Sequence, residues 1–373
     1  MIRSKIVRAA TVSKSCIFFH EVMLKMREKG YEMVALSSPG PELDEIRGEG
    51  FHTLEVPMER HISLKKDLKS LFNLIKIFRK EKPLVVHSMT PKAGLLCMIA
   101  AWLTRVPVRI HTFTGLVWPT ARGFQRRILM ATDWLTCACS SHIIPEGQGV
   151  KKDLQQYITR KPMKVLGFGN VRGVDLERFK APSRISPNEK GVFTFLFVGR
   201  IVGDKGINEL VEAFCQLHDE YPMTRLTLVG NLETNLDPLK QITYNRIQTN
   251  EAIITPGLKR GDDLVKEYAQ ADCFVMPSYR EGFPNTVLEA GAMGLPQIVT
   301  DINGSREIIE NEKNGLIIPP RNEKALFDAM LLMVENEPMR KAMASEARPM
   351  IASRFDKVFV QQCLMDFYVE ILS

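Results

Sequence analysis

The first half of the chain alternates short apolar runs with amphipathic stretches, two of which end at a glycine. Each apolar run has the length of a buried strand, and each amphipathic stretch has the length of a helix. Strands that alternate with helices are typical of a parallel sheet covered by helices. The pattern predicts strands at 6–10, 33–37, 84–87 and 108–112, and helices at 18–29, at 42–49 and from the loop at 90–91 to residue 103.

The alternation stops in the middle of the chain and then restarts. Residues 181–191 are rich in Pro, Ser and Gly without apolar periodicity, as expected of a linker. Beyond them, buried strands are predicted at 193–198, 226–229, 273–276 and 295–300. We therefore predict an α/β fold with two Rossmann-like, doubly wound domains. Their predicted bounds are 1–180 and 181–352, followed by a C-terminal helix, 353–373, that could pack back on the first domain.

One predicted helix, at 64–80, is both amphipathic and basic. Its apolar side chains fall on one stripe and its basic side chains fall elsewhere. This pattern is most often that of a helix packed on its own domain, and less often that of a helix on a membrane surface. The stripe consists of Leu64, Leu68, Leu71, Phe72, Ile75 and Phe78, and the basic residues are Lys65, Lys66, Lys69, Lys76, Arg79 and Lys80.

The composition is that of an ordinary globular chain, with 45% hydrophobic and 25% charged residues among 373. Seven scattered cysteines without a Cys-x-x-Cys pair disfavour a disulfide framework and a zinc site, and they favour a reducing cytoplasm. The first apolar run is too short for a signal peptide. The most apolar run, 95–103, is far shorter than the ~20 residues that span a bilayer. We therefore expect a cytoplasmic protein without a transmembrane helix.

The net charge of +7 is unevenly distributed. Residues 1–180 carry 30 Lys and Arg against 16 Asp and Glu, whereas residues 181–373 carry 20 against 27. This asymmetry indicates an anionic partner for the basic half: a phospholipid surface, a polyprenyl diphosphate or a nucleic acid. A solvated basic surface without a partner is an equally good interpretation of the charge alone.

The most informative segment is 279–289, which follows the predicted strand 273–276 and opens a helix. In a doubly wound sheet, ligands bind beyond the carboxyl ends of the strands, where the N–H groups of the next helix attract anions. We therefore expect a diphosphate at this turn. Gly282 allows the backbone to approach a ligand, and Pro284 suits the first turn of a helix. Asn285 and Thr286 add hydrogen-bond donors.

Two carboxylates, Glu281 and Glu289, flank the same turn. A carboxylate accepts hydrogen bonds from paired hydroxyls such as those of ribose or hexose, so the pair could bracket a nucleotide-sugar. The alternative is that Glu281 is a surface charge and that Glu289 caps the helix or forms a salt bridge. Seen alone, two glutamates at this spacing decide nothing.

A second loop, 199–206, follows the predicted strand 193–198 and carries Arg200 and Lys205 between glycines. A leaving nucleoside diphosphate needs charge stabilisation, and an Arg with a Lys can supply it without a metal. Plain surface charge is the less favoured interpretation because both residues lie on a strand-end loop. We therefore expect no metal cofactor.

These two segments resemble the E-x7-E signature and the G-R-x3-x-K-G loop of the retaining family-4 glycosyltransferases, which have the GT-B fold with two domains facing a cleft. The resemblance spans nearly the whole chain and includes 167–179, where we expect Asp175 to cap a turn. It implies that Glu281 contacts the transferred sugar, that Glu289 contacts the ribose, and that the cations neutralise the diphosphate. The donor-binding residues that it implies are Gly199, Arg200, Lys205, Glu281, Gly282, Phe283, Pro284, Asn285, Thr286 and Glu289. The absence of Asp-x-Asp from the sequence agrees with a metal-independent member.

In the first domain, 87–94 and 111–116 resemble the family's H-x-H-x-P-K-x-G and T-x-H-G-L segments. The chain departs from them at Met89 and Thr114, where the family has histidine. The family's second histidine contacts the transferred hexose, so either Thr114 makes a weaker contact or His111 takes the catalytic role from another angle. A core histidine is an equally good interpretation of His111. The acceptor-side candidates are Lys14, Ser15, His87 and Thr114.

The spelling of 5–13 and 277–284 is closest to the family's subgroup for bacterial lipid-linked and surface polysaccharides. It implies transfer of a hexose or N-acetylhexosamine from a UDP-sugar to a glycan on polyprenyl diphosphate, in capsule or O-antigen biosynthesis. It also implies a peripheral location at the inner face of the cell membrane, where the basic half would lie near anionic lipid. UDP-sugar is then a co-substrate, with no cofactor.

Three other functions fit parts of the sequence less well. A nucleotide-sugar 2-epimerase shares the two-domain cleft but not the E-x7-E turn. A nucleic-acid-binding protein fits the basic charge, yet that charge is not interleaved with aromatic residues and no helix-turn-helix, RRM or zinc pattern is present. A dinucleotide oxidoreductase needs Gly-x-Gly-x-x-Gly after the first strand, and the chain lacks it.

Overall fold

The computed structural model describes residues 4–59, 63–180, 191–233 and 237–372, so the predicted linker lies outside the described residues except for its last position. The chain divides into two compact units. The first unit comprises 1–172 and 360–373, and the second comprises 173–359. The boundary therefore lies at 172/173 and not at the predicted residue 180.

The earlier boundary has a physical cause in backbone pairing. The Val174 N–H donates to the Phe355 carbonyl at 2.9 Å, and the Lys357 N–H donates to the Val174 carbonyl at 3.0 Å. Gly173 lies against the same segment at φ 70°, where an added Cβ would stand 2.5 Å from the Lys357 Cα. Asp175 accepts the N–H of Arg178 at 3.0 Å, which confirms the predicted cap. These contacts attach 173–180 to the second unit.

The first unit is a six-stranded sheet of order β3-β2-β1-β4-β5-β6, in which every neighbouring pair is parallel. Its apolar strands are buried because helices cover the sheet. The strands are β1 Lys5–Ala9, β2 Glu32–Ser37, β3 His52–Glu55, β4 Val85–Met89, β5 Val108–Phe113 and β6 His142–Pro145. The helices are α1 His20–Glu28, α2 Pro41–Gly48, α3 Leu64–Glu81, α4 Pro91–Leu103, α5 Gly123–Cys139 and α6 Gln148–Tyr157, with a 3₁₀ helix at Ser13–Phe18.

The second unit repeats this architecture with the order β12-β11-β10-β7-β8-β9, again all parallel. The strands are β7 Phe193–Val198, β8 Thr224–Val229, β9 Ile253–Gly257, β10 Cys273–Met276, β11 Gln297–Thr300 and β12 Gly315–Ile318. The helices are α7 Ile207–Glu220, α8 Gln241–Thr249, α9 Gly261–Ala269, α10 Asn285–Ala292, α11 Ser305–Ile308, α12 Glu323–Glu335 and α13 Glu337–Phe355, with a 3₁₀ helix at Gly203–Lys205. The last helix, α14 Lys357–Leu372, enters the first unit at residue 360.

The basic helix α3 confirms the prediction for 64–80 but leaves part of its apolar stripe uncovered. Leu74 and Phe78 are buried in the first unit. Leu64, Leu68 and Phe72 are 77%, 54% and 63% exposed. They recur at every fourth position, so they form one ridge along the first two turns. The helix is therefore packed on its own domain through its second half, and its first half leaves the apolar stripe exposed. Within the described residues, no helix combines the length and the apolar character needed to cross a bilayer.

Candidate active site

The two loops singled out in the second domain meet at one edge of the sheet. Strands β7 and β10 are parallel neighbours, with Phe195 opposite Cys273 and Leu196 opposite Phe274. Their carboxyl ends therefore lie side by side, at the point where the strand order reverses. The loops 199–206 and 277–284 leave from these ends, one leading to α7 and the other to α10.

Lys205 and Glu281 form an ion pair across these loops, and their side chains are only 16% and 15% exposed. Arg280 donates to the Asp204 carboxylate at 3.1 Å, one position earlier on each loop. The backbone approaches closely as well, since a Cβ on Gly206 would stand 2.1 Å from the Pro277 carbonyl oxygen. The left-handed φ of 72° at Gly206 adds a second reason for glycine there. The structure thus brings together two predicted residues, Lys205 and Glu281.

Arg200 leaves the same loop in another direction. Its guanidinium lies 3.3 Å from the Glu233 carboxylate, and its side chain is 44% exposed. Arg200 makes no ion pair with Glu281. Its own pair with Glu233 and the pair of Lys205 with Glu281 both follow the carboxyl ends of adjacent strands. Among the described residues, no three His, Cys, Asp or Glu side chains are grouped so that they could hold a metal ion.

Glu289 lies on α10, one turn beyond its first residue, and it has a buried aromatic partner. The Tyr268 hydroxyl donates to Glu289 Oε2 at 2.9 Å. Tyr268 has no exposed surface. Burial, together with the Glu289 carboxylate, raises the pKa of Tyr268 well above its ordinary value, so the phenol stays protonated and remains a donor. Tyr268 therefore orients the carboxylate of Glu289, the residue predicted to contact the ribose.

The remaining residues of this turn differ in what they can offer a ligand. Helix α10 begins at Asn285, and Pro284 is the residue just before it and not in its first turn as predicted. The Phe283 side chain is 4% exposed and packs against Phe355 with the ring centroids 5.3 Å apart. Phe283 can therefore present only its backbone to a donor, and its predicted part in donor binding stays a prediction. Thr286 is half-buried on the first turn.

His87 in the first unit has a structural role, contrary to its prediction as an acceptor-side residue. Its Nδ1 lies 2.6 Å from the Tyr368 hydroxyl, and its Nε2 lies 2.7 Å from the Thr112 hydroxyl. Arg8 Nη1 donates to the same Tyr368 oxygen at 2.8 Å. Because both ring nitrogens are engaged inside the unit and the residue is 1% exposed, no acceptor can reach His87.

His111 is buried as well, at 2% exposure, with its Nδ1 2.9 Å from the Ser88 hydroxyl. Burial lowers the pKa of His111 to about 3. A Cβ on Gly94 would stand 2.3 Å from the His111 ring, so only glycine fits beside it. An imidazole with so low a pKa is a very weak base at neutral pH. The core interpretation of His111 therefore fits better than a proton-accepting catalytic role.

Thr114, Lys14 and Ser15 lie beyond the carboxyl ends of β5 and β1. Thr114 follows β5 and is half-buried. Lys14 is exposed and Ser15 is half-buried on the 3₁₀ helix that follows β1. β1 and β5 both pair with β4, so all three residues lie at the ligand-binding edge of their sheet. Their roles stay predictions.

Two family profiles together match most of the chain. The profile of glycosyl transferases group 1 matches residues 179–350, and the glycosyl transferase 4-like domain matches residues 17–167. The chain is also 32% identical to the capsular polysaccharide biosynthesis glycosyltransferase CapM of Staphylococcus aureus, over 99% of this chain and 97% of that protein. The chain belongs to this glycosyltransferase family. It is therefore an enzyme that transfers sugars, which disfavours the epimerase, nucleic-acid-binding and oxidoreductase alternatives.

Further relatives and solved structures agree with this assignment. The glycosyltransferase is 29% identical, over 84% of its length and 82% of the relative, to an Escherichia coli protein named UDP-Gal:alpha-D-GlcNAc-diphosphoundecaprenol alpha-1,3-galactosyltransferase. Its fold is similar to that of Anabaena HepE in complex with UDP and glucose, with a TM-score of 0.80 at 18% identity over 99% and 100% of the two chains. These similarities confirm the predicted GT-B fold.

Several residues of the site could not be recognised from the sequence. Tyr268 lies on α9, which carries no motif of the family, and its hydrogen bond to Glu289 joins two separate helices. Tyr279 lies in the segment 279–289, yet its hydrogen bonds of 2.7 Å to both Glu209 oxygens depend on tertiary packing. Asp204 and Arg280 lie within the two motifs, each one position before Lys205 and Glu281. Their ion pair could therefore be expected from the sequence once Lys205 and Glu281 were paired.

Proposed function

We propose that this glycosyltransferase moves a hexose or N-acetylhexosamine from a UDP-sugar to a lipid-linked glycan, with retention of configuration and without a metal ion. The observation that carries the proposal is the ion pair of Lys205 and Glu281 between the two loops at the strand-order reversal of the second unit. This pair fixes a cation and a carboxylate next to each other, one suited to a phosphate and the other to a sugar hydroxyl.

The positive charges at this edge supply the stabilisation that a departing diphosphate requires. Lys205 and Arg200 lie on one loop, and the amino end of α10 adds the partial positive charge of a helix terminus. Both cations are held by carboxylates, Glu281 and Glu233, so they are positioned before the donor arrives. Preorganised charges of this kind stabilise the leaving group without rearrangement at the moment of reaction.

Retention requires that the new bond form on the face from which the diphosphate leaves. In the proposed step, the bond between the anomeric carbon and the β-phosphate oxygen breaks, and the acceptor oxygen bonds to the same face of that carbon. The acceptor proton passes to the leaving phosphate oxygen. Glu281 binds the transferred sugar, and Glu289, held by Tyr268, binds the ribose hydroxyls. The low pKa of His111 agrees with a step that does not use this histidine as a base.

The proposed acceptor is a glycan on polyprenyl diphosphate, for use in a capsule or O-antigen polysaccharide. Its support comes from the relatives, because the names of the E. coli protein and of a Campylobacter jejuni relative both specify diphosphoundecaprenol-linked substrates. The C. jejuni relative is 25% identical over 82% of this chain and 82% of its own length. The basic first half and the exposed ridge of α3 fit a peripheral position on the anionic inner face of the membrane.

The proposal is tested by assaying the purified protein in EDTA with UDP-glucose, UDP-galactose, UDP-N-acetylglucosamine and UDP-N-acetylgalactosamine. The acceptor is a synthetic α-N-acetylglucosaminyl-diphospho-lipid, and the products are characterised by mass spectrometry and NMR. We expect one donor to yield a disaccharide with an α-anomeric linkage at full rate in EDTA. A β-linked product would exclude retention, and activity that appears only after Mg²⁺ or Mn²⁺ is added would exclude metal independence. GDP-sugars and undecorated lipid diphosphate serve as controls for the nucleotide and the acceptor.

A further inference from the structure

A second concave site lies wholly within the first unit, against α5. Leu129, Thr132 and Asp133 project from one face of that helix, since residues three and four positions apart lie on the same side. The opposite wall comes from the strand ends of the sheet. The residues that line the pocket there are Thr90, Pro91, His111, Phe113, Thr114, Gly115 and Val117.

Asp133 is the acidic group of this pocket. Burial raises the pKa of Asp133 to about 7, and the Trp118 indole beside it opposes this rise. In the described part of the chain, no cation contributes to the pKa of Asp133, and the Trp118 indole N–H is its hydrogen-bonding neighbour. Asp133 is half-buried at the pocket wall, so its carboxyl can still take a hydrogen bond from a ligand in the pocket.

The opposite wall of the pocket is rigidly held. Thr90 has a left-handed φ of 72°, which is rare for a β-branched residue and is associated with functional sites. The Thr11 backbone N–H donates to the Thr90 hydroxyl at 3.0 Å, and the two hydroxyls lie 2.7 Å apart. His111 is fixed by Ser88 at 2.9 Å. The pocket is thus preorganised, with a carboxyl on one side and neutral polar groups on the other.

We propose that Asp133 binds a hydroxyl group of a sugar substrate in this pocket, with Thr114 on the opposite side. A carboxyl can accept a hydrogen bond from a sugar hydroxyl or, when protonated, donate one to it. The hydroxyl belongs either to the transferred sugar or to the acceptor sugar, and the chemistry of recognition is the same. The proposal rests on the proposed function, because it names a substrate-binding residue for the same reaction.

The test compares the wild type with Asp133→Ala and Asp133→Asn in steady-state transfer, using the active UDP-sugar and the synthetic diphospho-lipid acceptor defined above. Gln125→Ala, an exposed position on the same helix, is the matched control. We expect Asp133→Ala to raise the KM of one sugar substrate about tenfold, the value of one hydrogen bond, with kcat changed less than threefold. Gln125→Ala keeps both constants. Thermal unfolding of each variant confirms that it is folded, and Asp133→Asn preserves the shape if Asp133→Ala does not fold.

Monodeoxy analogues of donor and acceptor identify the hydroxyl. With the wild type, the analogue that lacks the bound hydroxyl is expected to react with a kcat/KM about tenfold lower than that of the parent sugar. With the Asp133 variants its kcat/KM should equal that of the parent sugar, since the two changes remove the same interaction. If that analogue is a donor, the transferred sugar occupies the pocket, and acceptor-independent hydrolysis of the UDP-sugar shows the same effect. If it is an acceptor, hydrolysis is unchanged. Equal losses for every analogue in wild type and variants would overturn the proposal while leaving the proposed function intact, whereas a wild type inactive with all UDP-sugars would defeat the proposed function itself.

Discussion

Lys205 and Glu281 are 76 positions apart in the chain, yet their side chains form an ion pair between the loops that follow β7 and β10. The pairing follows from topology, because these two strands are adjacent and parallel. Neither loop alone forms a donor site. Together they place a cation and a carboxylate at the edge of the sheet where a doubly wound fold binds ligands.

Removal of the lysine is expected to abolish transfer without unfolding the protein. Lys205→Ala leaves the half-buried Glu281 without its cation and the diphosphate without a neutralising charge, so we expect kcat/KM to fall at least about a hundredfold. Initial rates with the active UDP-sugar measure the loss. Lys324→Ala is the control, because that lysine forms an exposed pair with Asp328 in the same unit and should be dispensable. Near-normal activity of Lys205→Ala would refute the diphosphate assignment.

The hydroxyl of Tyr268 is expected to act on the nucleotide through Glu289. Tyr268→Phe removes the donor that orients this carboxylate, so the KM for the UDP-sugar should rise about threefold to tenfold with little change in kcat. Binding of UDP and 2′-deoxy-UDP is then compared by calorimetry, and the variant should discriminate less between them. Tyr244→Phe, an exposed tyrosine of the same unit, should change nothing. Unaltered discrimination in Tyr268→Phe would contradict the ribose assignment.

His111 is expected to make the first unit sensitive to acid. Its folded pKa is lowered to about 3 by burial, whereas an unfolded histidine titrates near pH 6.5, so between these values the unfolded chain binds the extra proton. Stability therefore falls as the pH drops below about 6.5, by about 1.4 kcal/mol per pH unit. His111→Gln has no imidazole at this position and therefore lacks this pH-dependent contribution to stability. The stability difference between wild type and His111→Gln should shrink by about 2 kcal/mol between pH 7 and pH 5 in denaturant titrations. A difference independent of pH would show that His111 is not buried in its neutral form.

The exposed ridge of α3 is expected to bind anionic membranes. Phe72→Glu places a negative charge among Leu64, Leu68 and the neighbouring lysines, so the affinity for phosphatidylglycerol vesicles should fall about tenfold in sedimentation assays. Ile242→Glu replaces a residue of similar exposure, 56%, in the second unit and serves as the control. Equal binding by Phe72→Glu and the wild type would contradict a role of α3 in membrane binding. Wild-type binding to phosphatidylcholine vesicles as strong as to phosphatidylglycerol vesicles would contradict a preference for anionic lipid.

The strands were the most predictable part of the fold. β10 is a fully buried run of consecutive apolar residues, and β7 is interrupted only by Thr194, so the predicted bounds of both agree with the structure. Short or half-polar elements gave no such signal: β3 at His52–Glu55 has only partly buried or exposed side chains. The predicted helix at 18–29 is confirmed as α1, His20–Glu28, whereas the 3₁₀ helix before it, Ser13–Phe18, was not predicted.

The parts of the site that lie within a single loop motif were predictable from the sequence. Glu281 and Lys205 stood in recognisable motifs after strong strands, so their meeting followed from the sheet topology. The prediction failed for His87 because a motif position does not reveal burial, and its side chain lies inside the first unit. Tyr268 and Asp133 were missed since their significance depends on which helix packs beside them.

Calorimetric titration of the purified wild type with UDP in EDTA, with Lys205→Ala in parallel, is the decisive experiment for the donor site. We predict that the wild type binds UDP without any metal ion and that Lys205→Ala binds it at least tenfold more weakly. We also expect no binding of NAD and weaker binding of GDP. Absence of UDP binding in EDTA, or equal binding by wild type and variant, would contradict a metal-independent donor site built on Lys205 and Glu281.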